Sequence, residues 1–142
     1  MSALGHAPAL GIGLDRVQTI LSNRPEYLNC LPADYERRVV FPALVTGKLR
    51  FLCNYRAFVT WFWPDYPPDG MPDGREFAQA GPLCWIVDVV AMPGVNAMRL
   101  GREVAEAMYT YAGVWDRERV SFMRWPSGRW GYITARAPEG ER

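Results

Sequence analysis

The stretch that decides the fold is GPLCWIVDVVAMPGVNAMRLGREVAEAM, residues 81–108. Its first half, 82–91, is a nearly unbroken apolar run of strand-forming residues, the pattern of a strand buried on both faces. Pro93–Gly94 breaks the run. Asn96 then stands where a helix N-cap belongs, and the sequence predicts a helix from there to about Ala112. Ala97, Leu100, Val104, Met108 and Tyr111 make its apolar stripe, with Arg99, Arg102, Glu103 and Glu106 on the wet face. One carboxylate, Asp88, lies inside the apolar strand. Charge in such surroundings is costly unless the group is hydrogen-bonded, paired or protonated. Asp88 is therefore either a structural hydrogen-bonder, the commoner case, or a catalytic group.

Working outward from this strand, LDRVQTILSN places Leu14, Val17, Ile20 and Leu21 on one helical face, ended by Asn23–Arg24–Pro25. Residues 1–12, small and Gly/Pro-containing, read as an extended arm. PADYERRVVFPALVTG sets Val39, Val40, Ala43 and Leu44 together, with Pro42 predicting a kink or a short helix and Gly47 a stop. KLRFLCN and RAFVTWFWP make a hairpin over 48–63 around Asn54–Tyr55. PDYPPDGMPDG, 64–74, is a loop on composition. RVSFMRWPSGRWGYITARA gives a second hairpin over 119–137, turning at Pro126–Ser127–Gly128. The order α-α-β-β-loop-β-α-β-β implies an α+β chain: a mixed, mostly antiparallel sheet with helices packed on it, in a single domain over 1–142.

Composition narrows the function classes. At 142 residues with 49% hydrophobic and 22% charged side chains, the chain is globular and can bury a core without staples. A formal net charge of +1 gives no concentrated basic face for nucleic acid. No apolar run approaches the ~20 residues of a membrane span, and the N-terminus lacks the pattern of a secretion signal. Cys30, Cys53 and Cys84 lack metal-ligand spacing and read as buried, reduced thiols of a cytoplasmic protein. No metal or bound cofactor is implied. The single histidine, His6, lies in the arm, so the usual base near neutral pH is missing from the body of the chain. GxSxG, CxxC and HExxH are all absent. Trp61 and Trp63, two apart, share one strand face, and Trp125 and Trp130 flank a turn. Such residues serve more often as core and cross-strand pairs than as stacking platforms.

The run Trp85-Ile86-Val87-Asp88-Val89-Val90-Ala91, followed by Gly94 and Asn96, resembles the central motif of toxin-activating lysine acyltransferases, W-x-x-D-x-x-A with a Gly and an Asn just after it. Upstream, SNRPEYLN resembles that family's Pro-containing turn and Pro42-Ala43 its second helix. The likeness is one of pattern and order over roughly 14–135. It implies an acetyltransferase-like fold and transfer of a fatty acyl group from acyl carrier protein, or from acyl-coenzyme A, to a lysine of a protein acceptor. The family's essential aspartate falls on Asp88. In the register set by Pro25, the position of its essential histidine is occupied by Tyr27, a departure that puts the activity in doubt.

On this reading Asp88 and Tyr27 are the catalytic candidates. The backbone N–H groups of Gly94, Val95 and Asn96 are candidates for an oxyanion site, and Arg37, Arg38, Lys48 and Arg50 for a basic surface that receives the acidic carrier. Two alternatives stand beside it. One is a coenzyme A-dependent N-acetyltransferase of the same superfold, for which MPGVNAMRLG is a faint match. The other is a non-enzymatic subunit of a larger assembly such as a virus particle, and so located within a virion.

Overall fold

A computed structural model describes residues 10–29, 31–66, 68 and 71–113, and the backbone of 119–124 and 129–133. Eleven elements follow in chain order. They are α1 (Leu10–Ser22), α2 (Pro25–Leu28), a π-helix (Glu36–Val40), α3 (Phe41–Val45), β1 (Leu49–Leu52) and β2 (Ala57–Phe62). After these come a 3-10 turn (Glu76–Ala78), β3 (Leu83–Ala91), α4 (Ala97–Thr110), β4 (Arg119–Arg124) and β5 (Arg129–Ile133). The strands form one sheet in the order β1-β2-β3-β4-β5. Neighbours are antiparallel except β3 and β4, which run parallel. A parallel pair needs a crossover of a dozen residues or more, and α4 supplies it. This is the mixed, mostly antiparallel α+β architecture that the pattern of elements implies.

The central strand is apolar apart from Asp88 because both of its faces are covered. On one face α1, the π-helix and α3 bring Val17, Ile20, Val39 and Leu44 against Phe58, Phe62, Trp85 and Val90. On the other, α4 brings Ala107 and Met108 against Val59, Trp61, Cys84 and Ile86. Trp61 and Trp63 both belong to this second layer, as their spacing requires. Each fully buried Phe or Leu side chain contributes about 1.5–3 kcal/mol, so the two layers together hold the sheet.

Several local expectations need correction. Helix α1 starts at Leu10, so 10–12 are helical rather than part of an extended arm. Leu10 lies one turn before Leu14 and extends the same stripe into the core. Gly13 lets this helix approach α3, since a Cβ there would lie 3.0 Å from Leu44 Cδ2. Residues 1–9 and Cys30 lie outside the described residues. The turn SNRPEYLN contains a short helix, α2, with Pro25 in its first turn, where a missing N–H costs nothing. Pro42 likewise opens α3, immediately after the π-helix. In α4, Leu100, Val104 and Met108 pack inward, but Ala97 and Tyr111 are exposed and Ala107 and Ala112 are buried instead. The 3-10 turn, unassigned from sequence, buries Phe77 against Phe62, with ring centroids 5.6 Å apart.

The first hairpin turns through Cys53, Asn54 and Tyr55, all with positive φ (53°, 56° and 66°). That conformation is unfavourable for non-glycine residues. It is held from both layers: Arg16 Nε of α1 donates to the Tyr55 carbonyl at 2.7 Å, and Glu103 Oε1 of α4 accepts the Cys53 N–H at 2.8 Å. Glu103, expected on the wet face, is thus partly buried and structural.

Among the described residues, no helix is long and apolar enough to cross a membrane.

Candidate functional site

Asp88 is 2% exposed, on the central strand. A register shift puts it there. Thr60 of β2 pairs with Asp88, but the next residue, Trp61, pairs with Ile86, so Val87 has no partner. This bulge changes the phase of the alternation. Trp85 and Val87 face the α1–α3 layer, and beyond the bulge Asp88 does so as well. Without the extra residue its carboxylate would point toward α4.

Two phenols meet it. Tyr27 Oη, from α2, donates to Asp88 Oδ1, and Tyr35 Oη, from the residue before the π-helix, donates to Oδ2 at 2.6 Å. Tyr27 and Asp88 are 61 residues apart in sequence. Tyr27 is half-buried, so the residue that holds Oδ1 of the enclosed carboxylate is itself in part at the protein surface. Tyr35 is 4% exposed. Thr60, the Cα partner of Asp88, presents a buried Oγ1 that has no hydrogen-bond partner.

The electrostatics follow from this geometry. Burial pushes the Asp88 carboxyl up to about 6, and the hydrogen bonds from Tyr27 and Tyr35 act in the opposite direction. Tyr35 is raised well above the ordinary phenol value, first by burial and then by the charge of Asp88. A carboxylate that titrates near 6 is ionised at neutral pH yet much more basic than a solvated one, the range useful for general-base work.

The other candidate residues do not join this cluster. Gly94, with φ +89°, turns the chain after β3, the Val95 N–H donates to the Met92 carbonyl, and Val95 packs with the α4 layer. Ala91, the last residue of β3, is three residues beyond Asp88, about 10 Å at the strand rise. Asn96 caps α4, its Oδ1 accepting the Arg99 N–H at 2.9 Å. Asn96→Ala is expected to cost roughly 1 kcal/mol in chemical unfolding, a structural effect.

The proposed basic surface is corrected. Lys48 is 6% exposed; its ammonium donates to the Phe77 carbonyl and lies 4.7 Å from the centre of the Trp63 ring. Arg50 stacks on Tyr111 at 3.5 Å, in a cleft of about 200 Å³ between β1 and α4 that Phe51, Glu103 and Glu106 also line. Arg37 and Arg38 are on the π-helix, in the opposite layer, both beside Asp34. The four cations therefore do not form one face. Sequence reasoning missed Tyr35 and Thr60; their placement depends on the π-helix and on the strand register.

Cys53 and Cys84 are buried, reduced thiols, as their spacing suggests. Among the described residues, no group of three or more His, Cys, Asp or Glu side chains is arranged to hold a metal ion. No family model, no curated protein and no solved structure matches this chain.

Proposed function

We propose that the chain is an acyltransferase-like protein that moves a fatty acyl group from a carrier thioester to a lysine of a protein acceptor. The Tyr27–Asp88 hydrogen bond carries this reading. It joins the two positions on which the resemblance to toxin-activating lysine acyltransferases places that family's essential histidine and aspartate. In the reaction, the neutral lysine amine attacks the thioester carbonyl, the C–N bond forms and the C–S bond breaks. The amine proton passes to Tyr27 Oη as Tyr27 gives its own to Asp88 Oδ1; it then returns by the same route to the departing thiolate. The phenol never becomes a free phenolate, so its high intrinsic pKa is no obstacle.

A second observation supports an extended donor. β3 and β4 pair only from Leu83↔Arg119 to Ile86↔Phe122, although β4 continues to Arg124 against β5. Past Ile86 the two parallel strands part, and Val89 is 37% exposed in a strand otherwise enclosed on both faces. The backbone of 87–91 on that edge suits the two amides of a pantetheine arm, common to acyl carrier protein and coenzyme A. Transfer between protein and carrier, with Cys53 and Cys84 kept reduced in the interior, fits a cytoplasmic setting.

Isothermal titration with acyl–acyl carrier protein and with acetyl-coenzyme A tests the reading and separates it from the N-acetyltransferase alternative. Saturable binding of the acylated carrier supports it, and binding of acetyl-coenzyme A alone favours the alternative. Tyr27→Phe, which removes the relay and keeps the ring, is expected to lower the transfer rate about 10²–10⁴-fold in a thiol-release assay, as loss of Asp88 does. The enclosure of Asp88 favours a second reading, in which the cluster only builds the core of a non-enzymatic assembly subunit. Light scattering after size exclusion addresses it: a monomer that binds donor opposes it, and a large homo-oligomer that binds none supports it.

A further inference from the structure

The two phenols on Asp88 occupy different surroundings. Tyr27 is half-buried and donates to Oδ1, whereas Tyr35 is enclosed and donates to Oδ2 at 2.6 Å. We infer that Tyr35 is a positioning residue, which ties down the Oδ2 oxygen and the orientation of the carboxylate so that Oδ1 and Tyr27 form the single route for a proton between Asp88 and the surface. This deepens the acyl-transfer reading and rests on it for its catalytic consequence, though not for its structural one.

Three features of the structure converge on this assignment. Tyr35 heads the π-helix Glu36–Val40, whose widened turn is a rare element found mostly as a single insert at functional segments. Both Val39 and Val40 at its end are fully buried, so the segment that carries Tyr35 is fixed in the core. Among the described residues, the groups that hydrogen-bond the carboxylate are the Tyr27 hydroxyl from α2 and the Tyr35 hydroxyl from the start of the π-helix. Neither is a cation. The anionic form of Asp88 is therefore stabilised by neutral hydroxyl donors, and loss of the Tyr35 donor has a definite sign: the carboxyl becomes harder to ionise.

The test is a carboxyl-carbon NMR titration of Asp88, its resonance assigned by its disappearance in Asp88→Asn. It is made on the full chain as wild type, as Tyr35→Phe, and with 3-fluorotyrosine incorporated at Tyr35, which keeps the hydroxyl and makes it a stronger donor. The wild-type midpoint is expected near 6. Tyr35→Phe should move it upward by roughly one unit and the fluorinated residue should move it downward. The acid limb of the kcat/KM profile should shift with the carboxyl in each protein, which a merely structural tyrosine would not cause. Should Tyr35→Phe fail to fold, the fluorinated protein decides alone. A midpoint equal to wild type in the folded variants overturns the assignment. Absence of acyl transfer in wild type would count against the proposed function, while the titration would still decide the part played by Tyr35.

Discussion

Asp88→Asn is expected to lower acyl transfer by about 10²–10⁴-fold, the loss that follows removal of a positioned base. The substitution is nearly isosteric, and the site can stay satisfied: the amide oxygen accepts from one phenol and the amide N–H donates to the oxygen of the other. The fold should therefore persist, as judged by circular dichroism and a single cooperative unfolding transition. Asp88→Ala would be a poorer test, because it leaves two phenol hydroxyls without their acceptor in a site that is only 2% exposed, a loss of stability that would obscure the chemistry. Full turnover by a folded Asp88→Asn protein would mean that the carboxylate takes no proton in the reaction.

The second large effect is on stability. The folded pKa of Asp88, about 6, lies above its ordinary value of 3.8 because burial penalises the charge. Between these values the folded state binds more protons than the unfolded one, so stability falls as pH rises. The contribution is fully present below pH ~4 and lost as pH passes through ~6. A shift of about two units, at ~1.4 kcal/mol each, makes the change ~3 kcal/mol. Asp88→Asn lacks this dependence, and the remaining titratable groups largely cancel in the comparison. Urea unfolding of the two proteins should show the stability of wild type relative to the Asn variant dropping by ~3 kcal/mol between pH 3 and pH 7. A constant difference over that range would mean that the carboxyl is not perturbed.

The elements were legible where one periodicity dominated. The apolar run 82–91 and the capped stripe after Asn96 gave β3 and α4 to within a residue or two, and the first hairpin followed from turn residues between strand formers. β4 and β5 pair as the second hairpin requires, while its expected turn at 126–128 and its end at 134–137 lie outside the described residues. What escaped depended on interactions between elements. The bulge at Val87 leaves no mark in an apolar run, yet it decides which layer Asp88 faces. The π-helix reads like an ordinary helical turn in sequence, and nothing local marks Tyr35 as a partner of Asp88. Lys48 looked like a surface cation, but its ammonium has a carbonyl and a tryptophan face as company in the interior. The proximity of Tyr27 and Asp88 could be suspected only through the resemblance, since nothing in local pattern relates residues so far apart.

The most direct test of the Tyr27–Asp88 pair as an acyl-transfer centre is mass spectrometry of lysine-containing acceptors, after incubation or coexpression with the wild-type chain and acyl–acyl carrier protein or acyl-coenzyme A. Wild type is expected to add a fatty acyl group to a lysine ε-amine and to release the carrier thiol, and Asp88→Asn to yield neither product. Transfer from neither donor to any acceptor tried, or equal transfer by Asp88→Asn, would contradict an acyl-transfer role for the pair.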